Sequence, residues 1–83
     1  NAYAYYGAAL EQLGDHAEAV EKLEKALDIM PSNSNVFSVL IEAFINLGKY
    51  KEAWSVVNKA KIAKVKVAPS VLKKLSVAFP EPI

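Results

Sequence analysis

There is no cysteine in these 83 residues, so neither a disulfide framework nor a thiolate metal site can form. Arginine is absent too, which removes the side chain best suited to bidentate contacts with phosphates and base edges. One histidine, His16, leaves no histidine cluster for a metal. No apolar run approaches the roughly 18 residues of a membrane span. A phosphate-binding glycine loop, an HExxH zinc motif and a nucleophile elbow are all missing. Catalysis needs oriented acids, bases or nucleophiles, and none are grouped here, so neither enzyme activity nor a cofactor is expected. The chain opens without Met and without a signal-peptide pattern, so it is expected to be cut from a longer, cytoplasmic protein.

What is present is a folding composition: 53% hydrophobic and 23% charged residues. Ten lysines against nine acids give a net charge of +1, which argues against an indiscriminate polyanion binder. The charge is nevertheless uneven. Residues 1–31 carry −4 and residues 32–83 carry +5. Only three glycines and four prolines occur, and most fall where a helix would have to stop.

The chain matches itself after a shift of 34 residues. Leu13-Gly14 falls on Leu47-Gly48, Glu18-Ala19 on Glu52-Ala53, Lys25-Ala26 on Lys59-Ala60, Tyr3 on Phe37, Leu10 on Phe44 and His16 on Tyr50. Each copy reads as a pair of helices. Tyr3, Tyr6, Gly7 and Leu10 recur at helical spacing and predict one buried stripe. Gly14 stops that helix, because a left-handed residue costs glycine little. Asp15 with Glu18 three residues on predicts a capping box for the next helix. That helix carries Ala19, Val20, Leu23, Ala26, Leu27 and Met30 on one side, and pairs Glu18 with Lys22 and Glu21 with Lys25 on the other. Pro31 ends it, and Ser32-Asn33-Ser34 supplies turn and cap chemistry. The second copy repeats this with Phe37, Leu40, Ile41 and Phe44, then Gly48, then Ala53, Trp54, Val57 and Ala60. Leu72, Leu75, Ser76 and Phe79 begin a further helix after Pro69, one residue later in register, and Pro80 and Pro82 stop it. The spacing thus predicts helices near 2–13, 16–30, 35–47, 50–65 and 69–79, with no strand.

These residues together resemble the tetratricopeptide repeat (TPR) family, whose repeat has this period. The family's large–x–x–Leu–small–x–x–large motif is similar to Tyr3-x-x-Tyr6-Gly7-x-x-Leu10 and to Phe37-x-x-Leu40-Ile41-x-x-Phe44. Its Ala–x–x–x–large motif is similar to Ala19-x-x-x-Leu23 and Ala53-x-x-x-Val57, and its later alanine to Ala26 and Ala60. The resemblance implies an all-α fold of the α-solenoid type. It would hold repeat 1 at about 1–33, repeat 2 at about 34–67 and a capping helix at about 68–80, in a single domain over 1–83. Two departures carry consequences. Ile41 stands where the family prefers a small residue, and its branched side chain is expected to push the second pair of helices apart or tilt them. Val65 stands in place of the closing proline, so the fourth helix is expected to run about one turn further.

The resemblance also implies a function. In the family the first helices of successive hairpins line a concave groove. The matching positions are Asn1, Ala4, Tyr5, Ala8, Glu11, Gln12, Asn35, Ser38, Val39, Glu42, Ile45 and Asn46. The expected function is protein–protein interaction: a protein or peptide partner held in that groove, its backbone bonded by amides. A purely structural role as the C-terminal end of a longer array is the alternative, together with an anion-docking surface on the lysine-rich end. Ala4, Ala8, Val39 and Glu42 fall where a common subclass places the cations and amides that clamp chaperone-tail carboxylates, so no such binding is expected.

The remaining charged and aromatic residues read more plainly. Lys59 and Lys66 share one helical face and Lys61 and Lys64 another, so no focused stripe forms and no nucleic acid is expected. His16 reads as a contact residue at a helix start, and Glu11 and Asp15 as solvated carboxylates. Tyr3, Tyr6, Phe37, Phe44 and Phe79 read as core, Tyr5 as exposed, and Trp54 as partly buried at a junction. An N-terminal face near Tyr3, Tyr6, Leu10 and Leu23 would be left uncovered. It predicts a weak homodimer through the first helix.

Overall fold

The structure is a computed structural model, and it describes residues 2–80. Five helices follow one another: α1 (Ala2–Gln12), α2 (His16–Ile29), α3 (Ser34–Asn46), α4 (Tyr50–Ile62) and α5 (Pro69–Ala78). No strand occurs among the described residues. Two helical hairpins, α1–α2 and α3–α4, stack side by side as an α-solenoid, and α5 packs on the far side of α3. Asn1 lies outside the described residues.

Small residues set the spacing of the stack. Ala19, Ala26, Ala53 and Ala60 are all essentially inaccessible, as expected for positions where helices approach closely. Gly7 belongs with them. A Cβ at Gly7 would lie 2.6 Å from Cγ of Leu23 and 2.8 Å from its Cδ2. Around these contacts lies the core, with Leu23, Leu40, Ile41, Val57 and Leu75 as its largest fully buried side chains. Ile41 stays inside, and α4 lies less closely along α3 than α2 does along α1.

Three helices end in the same way. Gly14 and Gly48 take positive φ values of 87° and 74°. The amide of Gly14 donates to the Glu11 carbonyl and that of Asp15 to the Leu10 carbonyl. Gly48 and Lys49 repeat the pattern on Ile45 and Phe44. At the end of α4, Lys64 takes the left-handed conformation (φ 59°), and Lys64 and Val65 bond back to Lys61 and Ala60. This double closure is a Schellman motif. It corrects the expectation that α4 runs on to residue 65. The missing proline does not lengthen the helix, because Lys64 does the terminating at a cost of about 1–2 kcal/mol for a left-handed non-glycine residue.

The capping box at Asp15 is also corrected. The Asp15 side chain makes no cap hydrogen bond, and its backbone (φ −89°, ψ 68°) is not in the extended region that a capping residue uses. Lys49, its equivalent, has nearly the same backbone (φ −93°, ψ 69°), so the tight Gly turn sets the geometry whatever the side chain. Glu18 has another partner, accepting from the Tyr6 hydroxyl at 3.1 Å. Lys22 lies 3.8 Å from Glu21, and Glu21 reaches Lys25 at 3.9 Å. A side-chain cap does form at Asn33, which sits in extended backbone and accepts from the Val36 amide at 3.2 Å.

The N-terminal face differs from its sequence reading. Tyr3 and Tyr6 are not core: they are 38% and 49% exposed. The rings gain cover from lysines of α2 instead, with Lys25 Nζ 5.7 Å from the Tyr3 centroid and Lys22 Nζ 5.5 Å from that of Tyr6. Leu10 and Leu23, placed at that face by the repeat pattern, are buried in the core. Phe37 and Phe44 are core as expected, and Phe79 is half-buried.

Candidate functional site

A shallow concavity runs between α1 and α3. Residues Ala4, Tyr5 and Ala8 of α1 face Asn35 and Val39 of α3 across a recess of about 250 Å³. Leu23 and Val36 form its buried apolar floor, and Asn33 closes one end. The opening exists because the α1 wall is built from alanine: Ala4 and Ala8 sit one turn apart and leave the space that longer side chains would fill. Tyr5 stands at the edge with 78% of its surface exposed, and Asn35 is exposed at the start of α3. An apolar pocket with a few amide and phenol groups at its edge is the chemistry of side-chain docking with backbone hydrogen bonding.

The other expected groove residues have partners within the chain. Glu11 is not the solvated carboxylate that the sequence suggests. Its side chain is only 9% exposed and lies between two donors. His16 Nδ1 is 2.6 Å from one carboxylate oxygen, and Asn46 Nδ2 donates to the other at 2.5 Å. This network joins the ends of α1 and α3 to the start of α2. It also makes His16, read from the sequence as a contact residue at a helix start, a polar tie. Ser38 donates to the Ser34 carbonyl and accepts from the Ala68 amide, both at 3.1 Å. Glu42 is 3.4 Å from Lys74 of α5. Ile45 is buried at 8% exposure and belongs to the core, because α3 has neighbours on several sides. Gln12 is exposed at the end of α1. Asn1 falls outside the described residues.

Nine of the twelve expected positions fall into two groups. Ala4, Tyr5, Ala8, Asn35 and Val39 come together around one opening. Glu11, Ser38, Glu42 and Asn46 serve as struts between helices. Asn33 and the floor residues Leu23 and Val36 were not among the positions the family pattern supplies. A polar residue directly before the second hairpin was the available signal for Asn33.

No group of three or more His, Asp or Glu side chains able to hold a metal occurs among the described residues. Among the described residues no helix is long and apolar enough to cross a membrane. Comparison with known proteins adds one finding. The family model described as tetratricopeptide repeat matches residues 10–73, from within α1 to within α5. No curated protein and no solved structure matches the chain.

Proposed function

Since the chain belongs to the tetratricopeptide repeat family, whose members are protein-interaction repeats, we propose that it docks a protein or peptide segment in the concavity between α1 and α3. Its units in this reading are residues 1–33, 34–67 and 68–80. The observation that carries the reading is the apolar recess bounded by Ala4, Ala8 and Val39, with Tyr5 and Asn35 free to meet an extended backbone. The segment it fits is uncharged and places one aliphatic side chain in the recess. Glu11 and Glu42 are already held by His16, Asn46 and Lys74, and the lining of the recess holds no cation to clamp a carboxylate. Chaperone-tail binding is therefore not part of this function.

The test is selection from a random peptide library, followed by calorimetry. Asn35→Ala and Tyr5→Ala, both at exposed positions, should weaken the selected peptides by about 1 kcal/mol each. Peptides that enrich well yet bind both variants and Val39→Lys unchanged would place the site elsewhere.

A modest homodimer through α1 is the second reading. Its specific support is the exposed apolar surface at Tyr5, Tyr6 and Leu13. Sedimentation over a concentration series, comparing the parent with Tyr6→Glu, decides it. A strict monomer at high concentration would end this reading.

A further inference from the structure

Away from the concavity, the stack has a second opening. Helices α2 and α4 make no direct contact, and a cleft of about 310 Å³ lies between them over α3. Phe37 and Leu40 of α3 and Val56 of α4, all buried, line it together with the half-buried Leu27 of α2. Helix α3 thus turns Asn35 and Val39 to the concavity and Phe37 and Leu40 to this cleft.

The walls carry opposite charge. Glu24 and Asp28 line the cleft from α2, one turn apart, and Lys59 lines it from α4. All three are exposed, and none makes an ion pair or a side-chain hydrogen bond among the described residues. The α2 wall is the less compensated of the two. Lys22 and Lys25 of the same helix lie over the rings of Tyr6 and Tyr3 instead. The last turn of α2 holds Asp28 and no basic residue, so a carboxylate adds to the negative end of the helix dipole. Helix α4 has Lys59 and Lys61 in its last turn, where the dipole favours them. What completes the α2 wall is therefore a cation.

The lining narrows the kind of cation. Two carboxylates are too few to cage a metal ion, and no set of three or more metal-ligating side chains occurs among the described residues. A nucleic acid would set its phosphates against the same acids. A side chain with an apolar stem to lie over Leu27, Phe37 and Leu40, and a charged head to meet Glu24 and Asp28, is that of arginine or lysine. Arginine suits the cleft better. Its planar fork can bond two carboxylates at once, and its guanidinium is less strongly hydrated than an ammonium beside an apolar floor. The chain itself contains no arginine, so a second copy cannot supply one. Lys59 on the facing wall disfavours a second cation and favours an acid next to the first. We propose that this cleft is a second docking site, which receives an arginine of a partner protein at Glu24 and Asp28, with an acidic residue of the same segment toward Lys59.

The probes are random peptides with a fixed central arginine, panned against the whole chain beside libraries with a fixed lysine or glutamine. Each library is first depleted on the variant Glu24→Gln/Asp28→Asn, which removes peptides that bind elsewhere. Both substitutions fall at exposed positions, and far-ultraviolet circular dichroism checks the fold. The arginine library should enrich most, and its peptides should carry an acid near the arginine. Selection against Lys59→Glu should lose that acid. In fluorescence anisotropy, replacing the arginine by citrulline, which keeps the shape and removes the charge, should weaken a selected peptide roughly tenfold, the effect of two partly exposed charge pairs. Asn35→Ala in the groove should leave this binding untouched, which separates the site from the concavity. Equal yields from the three libraries, removal of every binder by the depletion, or a citrulline peptide that binds as tightly would overturn the proposal. A concentration-dependent self-association abolished by Glu24→Gln/Asp28→Asn would assign the cleft to lysines of a second copy and also overturn it.

Discussion

The two hairpins carry the same signature and bury very different amounts of it. In α1 only Gly7 and Leu10 are buried, whereas α3 buries Val36, Phe37, Leu40, Ile41, Ala43, Phe44 and Ile45. The reason is position. Helix α1 has α2 and α3 as neighbours, and α3 is enclosed by α1, α2, α4 and α5. Tyr3 and Phe37 hold the same place in the repeat, yet one is 38% exposed and the other 4%. A repeat signature therefore states which residues can be buried, and the stack decides which ones are.

The hairpins also solve one packing problem in opposite ways. The first places Gly7 against Leu23, with no room for a Cβ. The second has Ile41 and Val57 at the equivalent positions, both buried in the same core cluster. A glycine and a leucine are exchanged for two β-branched residues, isoleucine and valine. Introducing the second solution into the first is the strongest test of this comparison. Gly7→Ile should destabilise by about 3 kcal/mol through overpacking, and adding Leu23→Val should return a measurable part of the loss. Urea denaturation of the single and double variants reads the coupling. Strictly additive effects would show that the two positions do not meet.

Next in size is Ala26→Leu. Ala26 is inaccessible at the junction of the hairpins, and the added volume should cost about 1–3 kcal/mol. An unchanged midpoint would mean that this junction is looser than the first hairpin's own contact.

Trp54 sharpens the comparison from the C-terminal side. It is 6% exposed, and its indole N–H donates to the Phe79 carbonyl at 2.9 Å. Phe79 in turn stacks on Tyr50 with centroids 5.7 Å apart. The end of α5 is thus tied to the second hairpin by one hydrogen bond and one ring pair, whereas no helix among the described residues covers the outer side of the first. Trp54→Phe should cost about 1 kcal/mol. The loss should appear first as faster amide exchange in α5, and exchange unchanged there would show that the ring pair alone holds it.

The smallest expected effect concerns the helix ends. Gly14, Gly48 and Lys64 perform one task, and only Lys64 performs it with a side chain that disfavours the conformation. Lys64→Gly should stabilise by up to about 1 kcal/mol, while Gly48→Ala should cost a similar amount. A loss with Lys64→Gly would mean that the lysine side chain contributes more to the α4 end than its backbone strain removes.

Much of the fold is legible in the sequence alone. The helix count follows from the periodicity. The boundaries follow from Gly14, Gly48, Pro31 and Pro69, because backbone conformations that few residues tolerate are written in residue identity. The inaccessible alanines follow from the 34-residue register, since close helix approach admits only small side chains. Five groove positions also gather around one opening. Other features are decided by tertiary structure alone. Asp15 makes no cap because the turn before it imposes a backbone in which its side chain cannot reach the helix. Glu11 becomes a half-buried strut because His16 and Asn46, distant in sequence from each other, arrive on either side of it. The end of α4 depends on one left-handed lysine where α1 and α3 use glycine. Local sequence determines the conformations a segment can adopt at low cost. Which polar groups pair, and which apolar faces stay open, depends on neighbours that only the assembled stack supplies.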